Sequence, residues 1–166
     1  KDQGDVEVTG VEINEEMGSV ADNKLDNVII GNIEDINLQK KLGETRFDCI
    51  VFADVLEHLK DPWKVLKETA GLLRQNGVVI SSIPNIRHYS TLVSLAIKGI
   101  WPYRERGIHD ETHLRFFTLK NIRSLFKEAN LELITIERNY RLVESGSSLD
   151  RFAKYLALPL IREFLT

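Results

Sequence analysis

The sequence predicts a domain of the α/β class, with a mostly parallel sheet flanked by helices. Short apolar runs typical of strands recur along the chain, and amphipathic segments with helix-boundary signals lie between them. The length of 166 residues is that of one domain. Because alternating strands and helices favour right-handed βαβ crossovers, we expect neighbouring strands to run parallel.

Five segments are predicted to be strands. The run at 47–53 (FDCIVFA) is nearly continuous in apolar residues, which is typical of a strand buried on both faces. The run at 131–137 (LELITIE) alternates with a period of two, which predicts a strand with one wetter face. The other three are the β-rich run at 6–13 and the short apolar runs at 28–30 and 77–83.

Three helices carry boundary signals. The first begins at Asp61-Pro62 and is predicted to end at Asn76-Gly77, with an apolar face formed by Trp63, Leu66, Ala70 and Leu73. The second is capped by Thr118 and terminated by Asn130, with an apolar face formed by Leu119, Ile122, Leu125, Phe126 and Ala129. The third begins near Ser148 and carries Leu149, Phe152 and Leu156.

The amino-acid composition argues against a nucleic-acid binder, a disulfide-bonded protein and a membrane-spanning protein. There are 22 Lys and Arg residues against 25 Asp and Glu, a net charge of −3, whereas a nucleic-acid binder usually has a strong basic excess. Cys49 is the single cysteine, so no internal disulfide can form and a reducing compartment fits. No apolar run reaches the roughly 18 residues that a membrane span needs. We therefore expect a soluble, cytoplasmic protein without a nucleic-acid partner.

Polar residues follow the predicted strands, at the edge where a parallel sheet places its ligand site. Glu12 ends the first strand, where a carboxylate can accept both hydroxyl hydrogens of a ribose; taken alone, one surface acid among 25 acidic residues is the simpler interpretation. Asn32 and Ile33 follow the second strand and could contact an adenine ring, although an ordinary strand-to-helix loop is the simpler interpretation of these residues taken alone.

The third strand is followed by the motif D-x-x-E-H. Asp54, Glu57 and His58 fall at helical spacing, so their side chains can share one side of a turn and hold a divalent ion or transfer protons. A capped, solvated helix start is the simpler interpretation. We therefore predict no metal, with these three residues as the candidate ligands if one binds.

The histidines and one long connection point to the same edge. His58, His88, His109 and His113 all follow predicted strands, and histidine is the side chain best suited to proton transfer near neutral pH. Residues 100–118 are dense in aromatic, arginine and histidine side chains, a composition typical of a lid or an acceptor pocket. The alternative of a local nucleic-acid patch is disfavoured by the acidic chain.

Three stretches together resemble class I S-adenosylmethionine-dependent methyltransferases: VTGVEINEEM, VIIGNIED and FDCIVFADVLEHLKDPWKVLKETAGLLRQNGVVISSIPN. The resemblance covers about residues 5–138, and FDxIxxxDVLEHLxDP is its most specific part. The later PNIRHYS…GIHDETHLRFFT resembles bacterial methyltransferases found with polysaccharide and glycosyltransferase functions.

This resemblance implies a Rossmann-like fold with S-adenosylmethionine as cofactor. Glu12 would bind its ribose, Asn32 and Ile33 would flank its adenine, and Ala53 would offer backbone near its methionine part. The D-x-x-E-H motif is also similar to a divalent-metal set in some ubiquinone-biosynthesis O-methyltransferases.

On the acceptor side, the resemblance implies that His109, His113 and Arg115 face the substrate, with one histidine as base. The acceptor would be a small molecule, with a hydroxyl of a sugar or glycolipid precursor as the methyl acceptor. Residues 1–166 would form a single domain in which 84–118 is an acceptor-side insertion or lid.

The chain departs from the family in its glycines. No G-x-G occurs among the 10 glycines, so the family's first strand and Gly-rich turn are expected to precede Lys1, and its last strand to follow Thr166. We therefore expect a fold truncated at both ends, an activity that the chain by itself could lack, and self-association through the exposed sheet edge. Two alternatives stay open: a non-enzymatic binding or scaffold domain, and a nicotinamide-dependent dehydrogenase.

Overall fold

The computed structural model describes residues 6–137 and divides the chain into two compact units, Lys1–Phe47 and Asp48–Thr166. The predicted single domain over residues 1–166 stays a prediction. The elements are β1 (Thr9–Glu12), α1 (Glu15–Asp22), β2 (Asn27–Ile30), α2 (Leu38–Leu42), β3 (Phe47–Ala53), α3 (Pro62–Ala70), β4 (Leu73–Ser82), α4 (Tyr89–Ala96) and α5 (Leu119–Glu128). The predicted third helix near Ser148 lies outside the described residues.

The first unit is built around a βαβ crossover. β1 and β2 pair in parallel, with Glu12 opposite Ile30 at their carboxyl ends, and α1 connects them. Asn14 caps α1 by accepting the Met17 N–H at 3.0 Å. Gly18 allows this helix to lie close to β2, because a Cβ there would come within 2.8 Å of the Ile30 side chain. The predicted parallel α/β organisation is confirmed in this unit.

The second unit contains a two-stranded sheet of β3 and β4, and α3 contacts both β4 and α5. The Ser82 hydroxyl, at the end of β4, donates to the Asp54 carboxylate, which directly follows β3. The carboxyl ends of the two strands therefore lie at the same edge. The buried apolar core of the described chain lies in this unit and consists of Phe52, Leu56, Leu59, Val65, Leu66, Leu72, Phe117, Leu125, Phe126 and Ala129.

Helix α3 begins as predicted but ends earlier. Asp61 caps it by accepting the Lys64 N–H, with Pro62 in the first turn. The helix stops at Ala70, and Leu73 already starts β4, so the predicted end at Asn76-Gly77 is wrong. The buried face consists of Pro62, Val65, Leu66 and Thr69, while Trp63 is 39% exposed. The apolar helical spacing continued across the boundary because Leu73, which is half-buried, is the first residue of β4.

Asn76 shows why the Asn-Gly pair was wrongly interpreted as the end of the helix. Its φ of 66° is the left-handed conformation, which asparagine and glycine tolerate best and which often ends a helix. That conformation lies within β4 and not at the end of a helix. A backbone preference therefore predicted a bend without identifying the element that carries it.

Helix α5 has the predicted boundaries. Thr118 and Asn121 form a reciprocal capping box, and Asn130, with φ of 60°, follows the last turn. Leu125 and Phe126 are buried, as the apolar face predicted.

We expect Thr118→Ala to lower the free energy of unfolding by about 1 kcal/mol, because it removes the hydroxyl that caps α5. Urea denaturation of the variant and of a Thr45→Ala control measures the difference. The Thr45 hydroxyl makes no hydrogen bond to another residue within 6–137, so this control should stay within about 0.5 kcal/mol of the parent. Equal losses in the two variants would contradict the capping role.

The predicted strand at 131–137 is wrong, because no residue of this segment is assigned to a strand. Its alternation does report sidedness over the first four residues: Leu131 and Leu133 are half-buried, whereas Glu132 and Ile134 are exposed. A period of two shows which side chains face inward, but a strand also needs a hydrogen-bonding neighbour. Among the described residues the segment has no ladder partner.

Residues 84–118 form a long connection that follows β4 and whose two ends lie side by side; this segment is called the 84–118 excursion. Asn85 pairs with Phe117 in an isolated parallel bridge, and the Ile86 N–H donates to the Phe117 carbonyl at 2.9 Å. The two ends of the excursion therefore meet. It contains α4, which the sequence did not predict, and His88 caps that helix. No helix within residues 6–137 has the length and apolarity needed to cross a bilayer.

Candidate active site

Asp54 marks the edge where the strands of the second unit end. Its φ of 50° places a residue other than glycine in the left-handed region, a strained conformation that often occurs at functional sites. Its Oδ1 accepts the Ser82 hydroxyl at 2.5 Å. A side-chain hydrogen bond thus joins the ends of β3 and β4 at Asp54, the first residue of the D-x-x-E-H motif.

Glu57 is the least expected side chain of this motif. It lies in a one-turn 3₁₀ helix (Leu56–His58), is 1% exposed, and neither carboxylate oxygen has a hydrogen-bond partner among the described residues. Leaving a buried carboxylate unpaired is costly. The pKa of Glu57 is raised to about 7, chiefly by burial, and the nearby Asp54 and Asp110 carboxylates contribute in the same direction. A cation or a proton would remove this cost.

Hydrogen bonds hold the end of the 84–118 excursion against the 3₁₀ turn that contains Glu57. The Leu114 and Arg115 N–H groups both donate to the Glu57 carbonyl at 2.9 Å. The Arg115 guanidinium donates to the Lys60 carbonyl and lies over the Trp63 ring at 5.8 Å. These backbone-directed contacts bring His113 to the motif, although 55 residues separate it from His58.

The result is a cluster of one carboxylate and two imidazoles. Ligand atoms of Glu57, His58 and His113 all lie within 4.8 Å of one another. His113 Nε2 is 4.0 Å from Glu57 Oε1, and its ring meets the His58 ring edge-on with centroids 4.7 Å apart. Burial lowers the pKa of His113, with a further lowering from His58, so this imidazole favours its neutral form.

The hydrogen bonds assign the tautomer of each ring. His113 Nδ1 lies 3.3 Å from the Ile108 carbonyl, and His58 Nδ1 lies 3.3 Å from the Thr112 carbonyl. Because a carbonyl oxygen only accepts, each Nδ1 carries the hydrogen, which leaves the lone pair on Nε2. Thr112 is itself held by Asp110, whose pKa is lowered by the hydrogen bonds from Thr112.

A cavity of about 770 Å³ opens beside the cluster, within the second unit. Asp54, Glu57 and His113 are among its polar lining residues, and α5 and the segment 131–137 contribute apolar side chains. Its size suits a small molecule. His58 and His113 are therefore not equivalent, since His113 lines the cavity and His58 does not.

The structure separates the three residues that the sequence assigned to the acceptor side. His113 lines the cavity, but His109 is completely buried, with Nε2 3.0 Å from the Thr91 hydroxyl and its ring against Trp101. Arg115 is bonded to the Lys60 carbonyl and does not line the cavity. These contacts give His109 and Arg115 positions that stabilise the excursion.

His88 is a cavity residue that the sequence did not assign a role. It is 1% exposed, lines the cavity, and its Nδ1 accepts the Ser90 N–H at the start of α4. Its position after a predicted strand could have identified it, because the other three histidines also follow predicted strands.

The first unit carries the residues predicted to bind the cofactor. Glu12 is half-buried at the end of β1, and its Oε1 accepts the Asn14 N–H; no other hydrogen bond to its carboxylate occurs within residues 6–137. One oxygen therefore stays available for a ribose hydroxyl, so the residue fits its predicted role. A backbone hydrogen bond joins the ends of β1 and β2 at this edge, since the Gly31 N–H donates to the Glu12 carbonyl at 2.7 Å.

Asn32 and Ile33 lie at the same edge of the first unit, directly after β2. The Asn32 amide is used locally, since its oxygen accepts the Glu34 N–H and its nitrogen donates to Asp35. Ile33 is half-buried and offers an apolar surface for a ring. In the second unit, Ala53 is exposed at the end of β3, with its backbone at the predicted ligand edge.

Comparison with known proteins decides the family. A sequence model described as a methyltransferase domain matches residues 1–136. The chain belongs to the methyltransferase domain family. It is similar to ubiquinone biosynthesis O-methyltransferases of Coxiella burnetii, with 26% identity over 133 residues, and of Parvibaculum lavamentivorans, with 28% over 120 residues. These alignments cover 78% and 70% of this methyltransferase-family chain.

A solved structure confirms the Rossmann-like fold of this family member. The match is a SAM-dependent methyltransferase of Thermotoga maritima, described as a possible histamine N-methyltransferase. The TM-score is 0.54 at 20% identity, over 77% of this chain and 65% of the other. The chain spans about half the length of the curated relatives it matches, 56% and 46% in the two cases above.

Proposed function

We propose that this methyltransferase-family chain transfers the methyl group of S-adenosylmethionine to a hydroxyl of a small-molecule acceptor. The observation that carries the proposal is the buried carboxylate–imidazole cluster on the wall of a cavity at the carboxyl edge of the sheet. The relatives named for O-methylation support an oxygen acceptor. The sugar or glycolipid hydroxyl implied by the sequence resemblance is kept as the acceptor class.

Glu12, Ile33 and the backbone at Ala53 are proposed to bind the donor. Glu12 has an oxygen available for the ribose, and Ile33 offers an apolar surface to the adenine. With its amide engaged by Glu34 and Asp35, Asn32 is proposed to act by shaping the loop.

The reaction is an in-line displacement. The acceptor oxygen forms a bond to the methyl carbon while the carbon–sulfur bond breaks, and sulfur keeps the electron pair, which leaves S-adenosylhomocysteine. Because the sulfonium is already a good leaving group, the protein mainly has to align the reactants and accept the hydroxyl proton. Of the three residues predicted for the acceptor side, we propose His113 for this role, because it lines the cavity. An imidazole there either takes the proton or holds a cation that acidifies the hydroxyl.

Donor binding is the first test of the proposal. Titration calorimetry of the purified protein with S-adenosylhomocysteine should give saturable binding, after which methyl transfer from labelled S-adenosylmethionine is measured on sugar nucleotides and, as a matched panel, on phenols. Donor binding with transfer to either panel supports a hydroxyl acceptor, and the sugar panel decides the acceptor class. Absence of donor binding would contradict the proposal and favour a scaffold domain.

We expect Glu12→Ala to weaken donor binding by about 1–3 kcal/mol, or about 5- to 150-fold, because it removes charge-assisted hydrogen bonds to the ribose. Glu16→Ala is the matched control, since Glu16 is an exposed carboxylate in the same unit. Calorimetry on both variants decides the assignment: an affinity that Glu12→Ala leaves unchanged removes Glu12 from the donor site.

A further inference from the structure

We infer that Glu57, His58 and His113 form a three-ligand site for an imidazole-preferring divalent cation of the Zn²⁺ or Co²⁺ type, in which His113 takes the place that Asp54 has in the linear motif. The inference rests on the proposed function only for the role of the ion. The site itself stands on the geometry of the three side chains.

The first observation is the unpaired carboxylate. Glu57 is 1% exposed and both of its oxygens lack hydrogen-bond partners within residues 6–137. Folded proteins rarely leave a buried carboxylate in this state, unless it is protonated or ligates a cation. The Asp54 and Asp110 carboxylates add negative potential at Glu57, which favours a cation.

The second observation is the orientation of the two imidazoles. Each ring points its Nδ1 at a backbone carbonyl, Thr112 for His58 and Ile108 for His113. A metal-ligating histidine usually donates its other N–H to such an acceptor, which fixes the tautomer and increases the basicity of the ligating nitrogen. The lone pair of each ring then lies on Nε2, and the Nε2 of His113 is 4.0 Å from Glu57 Oε1.

The third observation is distance. The three ligand atoms lie within 4.8 Å of one another, whereas ligands about 2.1 Å from one cation lie about 3–3.5 Å apart. Binding therefore requires the widest of these separations to shorten by about 1.3–1.8 Å. Asp54 is not part of this set, and its Oδ1 already accepts the Ser82 hydroxyl.

The donor set decides the class of ion. Mg²⁺ and Ca²⁺ prefer oxygen ligands, whereas two imidazoles and one carboxylate suit Zn²⁺, Co²⁺ and neighbouring transition metals. Three protein ligands leave coordination positions open toward the cavity. A bound ion there would lower the pKa of an acceptor hydroxyl. Because His113 belongs to the excursion and His58 to the turn after β3, the ion would also hold these two segments together.

The test measures metal binding without donor or acceptor, so its result is independent of methyl transfer. Tag-free protein carrying Cys49→Ser, which removes the exposed thiol, is titrated with Co²⁺ and followed by its visible absorption. Zn²⁺ and Mg²⁺ are then tested by competition. We expect one site per chain, displacement of Co²⁺ by Zn²⁺, and an affinity for Mg²⁺ at least about 100-fold weaker.

Two variants separate this site from the linear motif. His113→Ala should weaken Co²⁺ binding by at least about 100-fold, because it removes one of three ligands, whereas Asp54→Asn should change it by less than about threefold. If His113→Ala does not fold by circular dichroism, His58→Ala, which changes a half-buried ring, is expected to give the same loss. Any one of three results would overturn the inference: no Co²⁺ binding by the parent, Mg²⁺ binding as tightly as Zn²⁺, or loss of the metal in Asp54→Asn but not in the histidine variant.

Discussion

We expect His113→Ala to lower the rate of methyl transfer by about 100-fold or more while changing the dissociation constant of the donor by less than about twofold. His113 lines the cavity of the second unit and belongs to the carboxylate–imidazole cluster, so its loss affects activation of the acceptor hydroxyl. Removing a group that transfers a proton or acidifies the hydroxyl costs about 10²–10⁴ in rate. Labelled-methyl transfer and calorimetry with S-adenosylhomocysteine measure the two quantities.

The control for His113→Ala is Lys98→Ala, which removes an exposed side chain of the same excursion. It should leave the rate, donor affinity and melting temperature close to those of the parent. Equal losses of transfer and donor binding in His113→Ala would remove His113 from the acceptor side. A low rate accompanied by a large fall in melting temperature would instead indicate a structural role.

The second large effect is expected for Glu57→Gln, which should stabilise the metal-free protein. At pH 8 in the presence of EDTA, the free energy of unfolding should rise by about 1–3 kcal/mol, because the amide removes a buried charge that has no hydrogen-bond partner. The same variant should lose the rise in melting temperature that Zn²⁺ gives to the parent. A residue that destabilises the free protein and is needed for its ligand is typical of a functional site.

The pH dependence of this difference follows from the sign of the shift. In the metal-free parent, folding raises the pKa of Glu57 from 4.5 to about 7, so its contribution to stability is complete below pH 4.5 and is lost as pH rises through 7. The advantage of Glu57→Gln should therefore be largest at pH 8 and small near pH 4.5. Urea denaturation at the two pH values, with exposed Glu68→Gln as the matched control, tests this expectation. A variant less stable than the parent at pH 8 would contradict it.

Local signals allowed much of the fold to be predicted. The Thr118 cap and the Asp61-Pro62 helix start depend on side chains within three residues of the backbone they bind, so sequence alone locates them. The prediction failed where a distant partner decides the outcome. Residues 131–137 alternate like a strand but have no ladder partner among the described residues, and the apolar spacing after Ala70 belongs to β4 and not to α3.

The residues of the candidate site also divide into those that local sequence located and those that depend on a distant partner. The sequence placed Glu12, Glu57 and His58 after strand ends, because the position of a residue relative to a strand is a local property. It could not tell His113 from His109, since both occur in one aromatic, histidine-rich segment. Burial and the Thr91 hydroxyl assign His109 to the interior, while contacts with the Glu57 carbonyl bring the chain at His113 back to the motif.

The sequence by itself determined the α/β class, the strand-end positions of the candidate ligands and the family resemblance, since these depend on spacing along the chain. Only the tertiary structure decided that His113 joins Glu57 and His58, that Asp54 turns to Ser82, and that the Glu57 carboxylate is buried without a partner. The physical reason is that ligand geometry and desolvation depend on groups brought together across 55 residues of chain, and no local pattern encodes which of them meet.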